Sequence, residues 1–335
     1  MNLLKALSVM ALVCLLAVPV HAAQQKIVIR YSHSSGAMVR EPHHAAALDF
    51  KNYVEKAANG AVEVQVYPAS QLGGEERNFQ DIQNKVIQAA SLAVNNATLF
   101  SPSLGFFDLP YIFNNFEEAY KAMDENWDEI NKRMIRESGN MAVGWLVQGF
   151  RVLSNSRHQV KTLADLKGLK IRVPNNPIMI ATFKAWGCEP APMAWDETFN
   201  ALQQKVVDGQ ENPYAVFASN KFEEVQKYIT EIHYKMWIGP IVVNADWLEK
   251  LPPDIRKTVL EAGRQATKNN RAMIAEMDRD LKAAIAKAGV RIIDKPDDET
   301  EWSGRAMTVW PQFYDKIGDL TLLDNVMKSL GRTKP

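Results

Sequence analysis

Lys167-Gly168-Leu169-Lys170-Ile171-Arg172-Val173-Pro174-Asn175 reads as a glycine turn, a short buried strand and a proline stop. Apolar Leu169, Ile171 and Val173 alternate with Lys170 and Arg172, and a period of two puts both cations on one face. Pro174 ends the strand, and strand ends are where α/β folds hold ligands. Further on, Asp208-Gly209-Gln210-Glu211-Asn212-Pro213 reads as an amide-rich turn after a helix. The two segments offer a guanidinium, a carboxamide and a carboxylate, and the first two suit the oxygens of a small anion. On the strand alone, Arg172 would serve equally well as the partner of a structural Asp or Glu.

Working outward, Ile178 to Trp186 has helical spacing, Cys188 to Met193 is extended, and Trp195 to Gln204 is helical again. Trp195 follows a proline-containing loop and suits either a ligand wall or the core. Upstream, strands at Lys26–Tyr31, Ala61–Tyr67 and Ala89–Val94 alternate with helices at His43–Ala58 and before Asn84, the pattern of an α/β sheet. Asn95 and Asn96 fall at the end of the third strand, and Ser32-His33-Ser34 in the loop after the first. A strand at Met141–Leu146 turns at Gln148-Gly149-Phe150-Arg151 into a strand at Val152–Asn155. No helix intervenes, so the chain passes there from one lobe to a second. His233 and Trp237 fall where it should cross back, before the strand Ile238–Val243.

From Pro252 to Ala288, Ile255, Val259, Ala262, Ala266, Ile274, Leu281 and Ile285 recur at helical spacing until Gly289. About 34 residues without an internal proline span roughly 50 Å. That exceeds one lobe, so the helix should run along both, with Gly263 as a weak point.

Charge is balanced, 39 basic against 39 acidic residues, which argues against nucleic acid and acidic membranes as partners. Lys5, the apolar run Ala6–Val20 and the small-residue site Val20-His21-Ala22 read as a signal peptide cleaved after Ala22. Cleavage leaves Cys188 as the one cysteine, so no intramolecular disulfide can form.

Tyr67-Pro68-Ala69-Ser70-Gln71-Leu72-Gly73-Gly74, Leu109-Pro110-Tyr111, Gly149-Phe150-Arg151, the Lys167–Pro174 strand, Pro192-Met193-Ala194-Trp195 and Asp208–Pro213 carry a family resemblance. Along essentially its whole mature length the chain resembles the DctP-type solute-binding proteins of tripartite ATP-independent periplasmic (TRAP) transporters. The resemblance implies an α/β fold of the two-lobed periplasmic binding protein type, with crossing hinge strands and one long helix spanning both lobes. The expected division is 1–22 as signal peptide, 23–148 with 238–277 as lobe I, and 149–237 with 278–335 as lobe II.

By the same resemblance Arg172 grips the ligand carboxylate with its two-pronged fork. Arg151 stands near the same group, Asn212 hydrogen-bonds the acid, and Trp195 shapes the cleft. Asn95, Asn96, His233, Trp237 and His33 fall at positions that vary with ligand. The implied partners are a small organic anion and the membrane permease subunits of a TRAP transporter, the only link to a membrane, with a monomer as the default. A C4-dicarboxylate, a sugar acid, a hydroxy acid or a sulfonate such as isethionate would each fit two arginines. No cofactor, metal or catalytic residue is implied.

Two other classes use the same residues. An exported ligand sensor would share the binding site and report to a signalling partner. A secreted hydrolase is disfavoured: no Gly-x-Ser-x-Gly elbow, His-Glu-x-x-His helix or phosphate loop occurs. Cys188 with His233 is the one imaginable nucleophile pair, and a lone cysteine more often packs. Adjacent His43 and His44 point to different helix faces and read as a surface pair.

Overall fold

Eleven strands form two sheets in a computed structural model that describes residues 26–335; the expected signal peptide lies outside the described residues. The strands are β1 Ile27–Ser32, β2 Val62–Tyr67, β3 Ala89–Ser91, β4 Asn140–Phe150, β5 Val152–Asn155 and β6 Lys170–Val173. They continue as β7 Glu189–Pro192, β8 Gly209–Asn212, β9 Tyr228–Thr230, β10 Met236–Asn244 and β11 Arg291–Ile293. The first sheet runs β2-β1-β3-β10-β4 and the second β11-β9-β5-β8-β6-β7. This is the expected two-lobed α/β fold.

β10 is buried along its whole length. Met236, Ile238 and Val242 face one apolar cluster, while Trp237, Ile241 and Val243 face another. A strand covered on both faces reads as a continuous apolar run, and Met236–Val243 does.

β4 lies at the sheet edge, where unpaired backbone groups must find partners. Helix side chains supply them. Asn131 brackets Ala142, the Thr267 hydroxyl accepts from Trp145 N at 2.9 Å, and the Asn270 amide accepts from and donates to Val147. Thr267 and Asn270 belong to the long helix, which runs from Pro253 to Lys287 over 35 residues. Val259, Ala262 and Ala266 pack it on the first lobe, and Leu281 and Ile285 on the second. Gly263 is a contact point in this helix, not a weak one. A Cβ there would sit 2.1 Å from the Val143 carbonyl oxygen, and one on Gly144 would sit 2.6 Å from Gly263 O.

The lobes are joined by closely spaced crossings. Arg151 is the single residue between β4 and β5, and Glu231 to Lys235 return the chain from β9 to β10. Arg151 N donates to Lys235 O at 2.9 Å, so the crossings lie side by side. Asn176 adds a third link. Its side-chain oxygen caps the helix Pro177–Ala185, and its Nδ2 donates to Asp108 at 2.7 Å and to Thr98 at 3.1 Å in the first lobe.

Two segments differ from the sequence reading. Gly209–Asn212 is a strand between β5 and β6, because a central position in the sheet overrides its turn-like composition. The C-terminal part of the expected second lobe is divided. Trp302 and Ala306 pack with the second sheet, but Trp310, Phe313, Ile317, Leu322, Leu323, Val326 and Met327 complete the core of the first.

Candidate ligand-binding site

Arg172 reaches the interlobe cleft because β6 is parallel to β7 and β8 and ends at Val173. Its guanidinium is buried, 3% exposed, and Nε and Nη2 both donate to the Met193 carbonyl oxygen, at 3.1 and 2.7 Å. Its central carbon lies 5.7 Å from the centroid of the Trp195 ring. Among the described residues no carboxylate pairs with it. Burial is the main influence on its pKa and pulls it down to about 10, with Arg151 adding to the effect, so the group stays cationic at neutral pH. A buried cation is costly unless paired. Arg172 lines the cleft, and among the described residues its Nη1 makes no side-chain hydrogen bond.

Arg151 also lines the cleft, in a different electrical state. Its Nε and Nη2 meet the two carboxylate oxygens of Glu211, and Nη2 also donates to Glu211 O at 2.9 Å. The Tyr234 hydroxyl donates to the same carboxylate at 2.8 Å. Both charges are fully buried, and the neighbouring Glu211 outweighs the effect of burial and raises the arginine's pKa. The expectation of two arginines available to one ligand is therefore corrected: Arg151 is neutralised by its own chain. A second buried pair, Lys235 with Asp108 at 3.0 Å, lies beside it at the crossing.

Asn212 ends β8, and its Nδ2 donates to Gln210 Oε1 at 2.7 Å. Gln210 is itself fixed to Ser154, and Ser154 to Gln226, a chain that holds the carboxamide in place. The opposite wall comes from the first lobe. Glu75, first residue of the helix Glu75–Gln83, accepts from Ser34 Oγ at 2.5 Å, Ala93 N at 2.8 Å and Asn96 Nδ2 at 2.6 Å. Asn95 Nδ2 donates to Asn96 Oδ1. His43 is buried, bonded through Nδ1 to Ser91 Oγ at 2.8 Å, with its ring edge-on to Trp237 at 4.9 Å. Burial drives its pKa down to about 3, so the imidazole is neutral. The empty space between these walls, open solvent included, is about 370 Å³.

Of the residues singled out from sequence, Arg172, Arg151, Asn212, Trp195, Asn95, Asn96 and Trp237 line this cleft. His33 does not: it is buried behind the wall, its Nε2 3.1 Å from His44 Nδ1, while Ser34 and Ser35 of the same loop face the cleft. His233 does not either. It is about half exposed, packed on Phe150 and beside Glu231 at the outer side of the crossing. Glu75, His43 and Gln148 are among the cleft residues that sequence reasoning missed. Glu75 follows directly on the Gly73-Gly74 motif, and that adjacency was the available signal. Reading His43 and His44 as a surface pair is corrected for His43, because its helix face turns inward.

Cys188 is packed among apolar residues with its Sγ 3.4 Å from Leu169 O, and burial pushes its thiol up to about 12. It is a packing residue, not a nucleophile. Among the described residues no cluster of His, Cys, Asp or Glu fits a metal, and no helix is long and apolar enough to cross a membrane.

The model of bacterial extracellular solute-binding protein family 7, also called DctP, matches residues 33–317. The chain belongs to that family. Family 7 proteins of the DctP type are the solute-binding proteins of TRAP transporters and not enzymes. A TRAP periplasmic solute-binding protein from Rhodobacter sphaeroides is 42% identical, with a TM-score of 0.77 over 91% of this chain and 99% of that one. A solute-binding protein from Verminephrobacter eiseniae is 34% identical over 84% of each chain. The 2,3-diketo-L-gulonate-binding periplasmic protein YiaO of Escherichia coli is 30% identical over 77% of this chain and 78% of its own.

Proposed function

We propose that this family 7 protein captures a small organic anion between its lobes, with a carboxylate of the ligand against Arg172 and Asn212, and delivers it to the membrane permease subunits of a TRAP transporter. The observation that carries the reading is a buried guanidinium in the cleft that, among the described residues, makes no direct ion pair with a carboxylate, Glu211, Glu75 and Glu76 acting on it only from farther off. Two of its N–H groups are anchored on Met193 O, which fixes the plane of the fork. A planar fork recognises two coplanar oxygens, and Trp195 stacks beside it to exclude water. The kinship with YiaO, named for a keto sugar acid, agrees with an acid as the cargo. In this reading residues 1–22 are removed on export and the protein works in the periplasm.

Calorimetry and thermal shift against a panel of small carboxylates and sulfonates test it, since a ligand stabilises the fold it binds. At least one acid should bind in the micromolar to nanomolar range, about −8 to −12 kcal/mol. Arg172→Ala should then cost about 3 kcal/mol or more, on the order of a hundredfold in affinity. Arg172→Lys should also be poor, because an ammonium lacks the fork. Full affinity in Arg172→Ala ends the reading.

A further inference from the structure

We propose that the cleft takes a hydroxylated monocarboxylate and rejects dicarboxylates, with Glu75 as the residue that sets this choice. The inference rests on the reading of the cleft as an anion site and follows from counting its charges. Two arginines line it, and one is cancelled by the bidentate contact with Glu211. Arg172 is therefore the one guanidinium in the lining without a carboxylate partner, enough for one ligand carboxylate.

The far wall carries the opposite sign. Glu75 is buried and faces the cleft, and three donors from its own lobe hold it in place. Those donors satisfy the anionic form, so the charge is built in. Oε2 receives two of the three bonds and Oε1 one, which leaves Oε1 able to accept another. Gln148 lines the same cleft; it is 1% exposed, and its Oε1 has no hydrogen-bond partner. A buried acceptor without a donor is costly. A ligand hydroxyl supplies that donor at both places. A second carboxylate supplies none and meets like charge at Glu75, which is how a site excludes a wrong ligand.

Matched acids that differ only at the far carbon isolate this step. Erythronate against meso-tartrate and gluconate against glucarate each replace a terminal CH₂OH by a carboxylate. Calorimetry on the wild-type protein should show a monoacid of at least one pair bound, and its diacid at least about a hundredfold weaker. Glu75→Gln should shrink that ratio by tenfold or more, chiefly by strengthening the diacid. Gln148→Leu should weaken the monoacid, whose hydroxyl loses an acceptor, and so lower the ratio without strengthening the diacid. A diacid bound within tenfold of its monoacid overturns the proposal, as does failure of both members of both pairs. An unchanged ratio in a folded Glu75→Gln protein overturns the role of Glu75. None of these outcomes touches the underlying anion site, which is judged separately by Arg172→Ala on the wider acid panel.

Discussion

Arg151 and Glu211, sixty residues apart in sequence, form a fully buried bidentate ion pair at the point where the chain passes between lobes. The arginine is the one residue separating β4 from β5, and the glutamate sits in β8 opposite Leu153. The pair therefore ties the hinge to the centre of the second sheet.

Glu211→Gln would leave a buried guanidinium without its counter-charge, and should destabilise the protein by about 3–5 kcal/mol. Tyr234→Phe removes one hydrogen bond to the same carboxylate and should cost about 1.5–3 kcal/mol. Urea denaturation measures both. Replacing the pair together, as Arg151→Met with Glu211→Leu, should recover most of the loss, since a well-packed apolar pair can replace a buried ion pair. A Glu211→Gln protein as stable as wild type would show that the pair is not what anchors the hinge.

Gly263→Ala sets two effects against each other. Helix propensity alone favours alanine by about 1 kcal/mol. The added methyl, however, would sit 2.1 Å from the Val143 carbonyl oxygen, which is backbone and cannot swing aside. Overpacking of this kind costs about 1–3 kcal/mol or more, so the variant should melt lower than wild type. A rise in the melting temperature would mean that the helix and β4 are not in close contact.

Stability of the ligand-free protein should fall in mild acid. Burial, reinforced for His33 by the charges of His43 and His44, holds His33 and His43 at about 3 against the ordinary 6.5. The unfolded chain therefore binds more protons than the fold between those limits, and stability is lost as pH drops through them. Glu41 opposes this, because burial pushes its carboxyl from 4.5 to about 7 and the fold then holds the extra proton in that window. From pH 4.5 to 6.5 up to two protons stand against one. Those three groups together contribute a slope of about 1.4 kcal/mol per pH unit, with stability rising as pH rises; His44 and His233 are shifted in the same sense as the two histidines, and Glu76 and Asp108 in the same sense as Glu41. His43→Asn should flatten that slope, read from urea midpoints across the range; an unaltered slope would mean that His43 titrates normally.

What could be read from the chain and what could not divide along a physical line. The β6 strand, its proline stop and Arg172 were legible because period and stop signals are local. So was the long helix, whose length forced it to span two lobes. The lobe crossing at Arg151 showed as two strands with no helix between them. Partner choice was not legible: nothing near Arg151 announces a glutamate sixty residues on, and this alone halves the cationic capacity first expected of the cleft. Gly209–Asn212 looked like a turn because its residues are turn formers, and only its place between β5 and β8's other neighbour β6 makes it a strand. His43 looked exposed because a two-residue histidine run says nothing about which helix face packs inward. His233 looked central because it lies at the crossing, but its side chain points out.

The return of residues 309–327 to the first lobe has a practical outcome for anyone dissecting the molecule genetically. That lobe is assembled from three separate stretches of polypeptide, and its last piece is translated only after the entire second lobe. A gene cut after position 308 would omit Trp310, Phe313 and Leu322 from a core that needs them, so the halves of this clamp are not separable products.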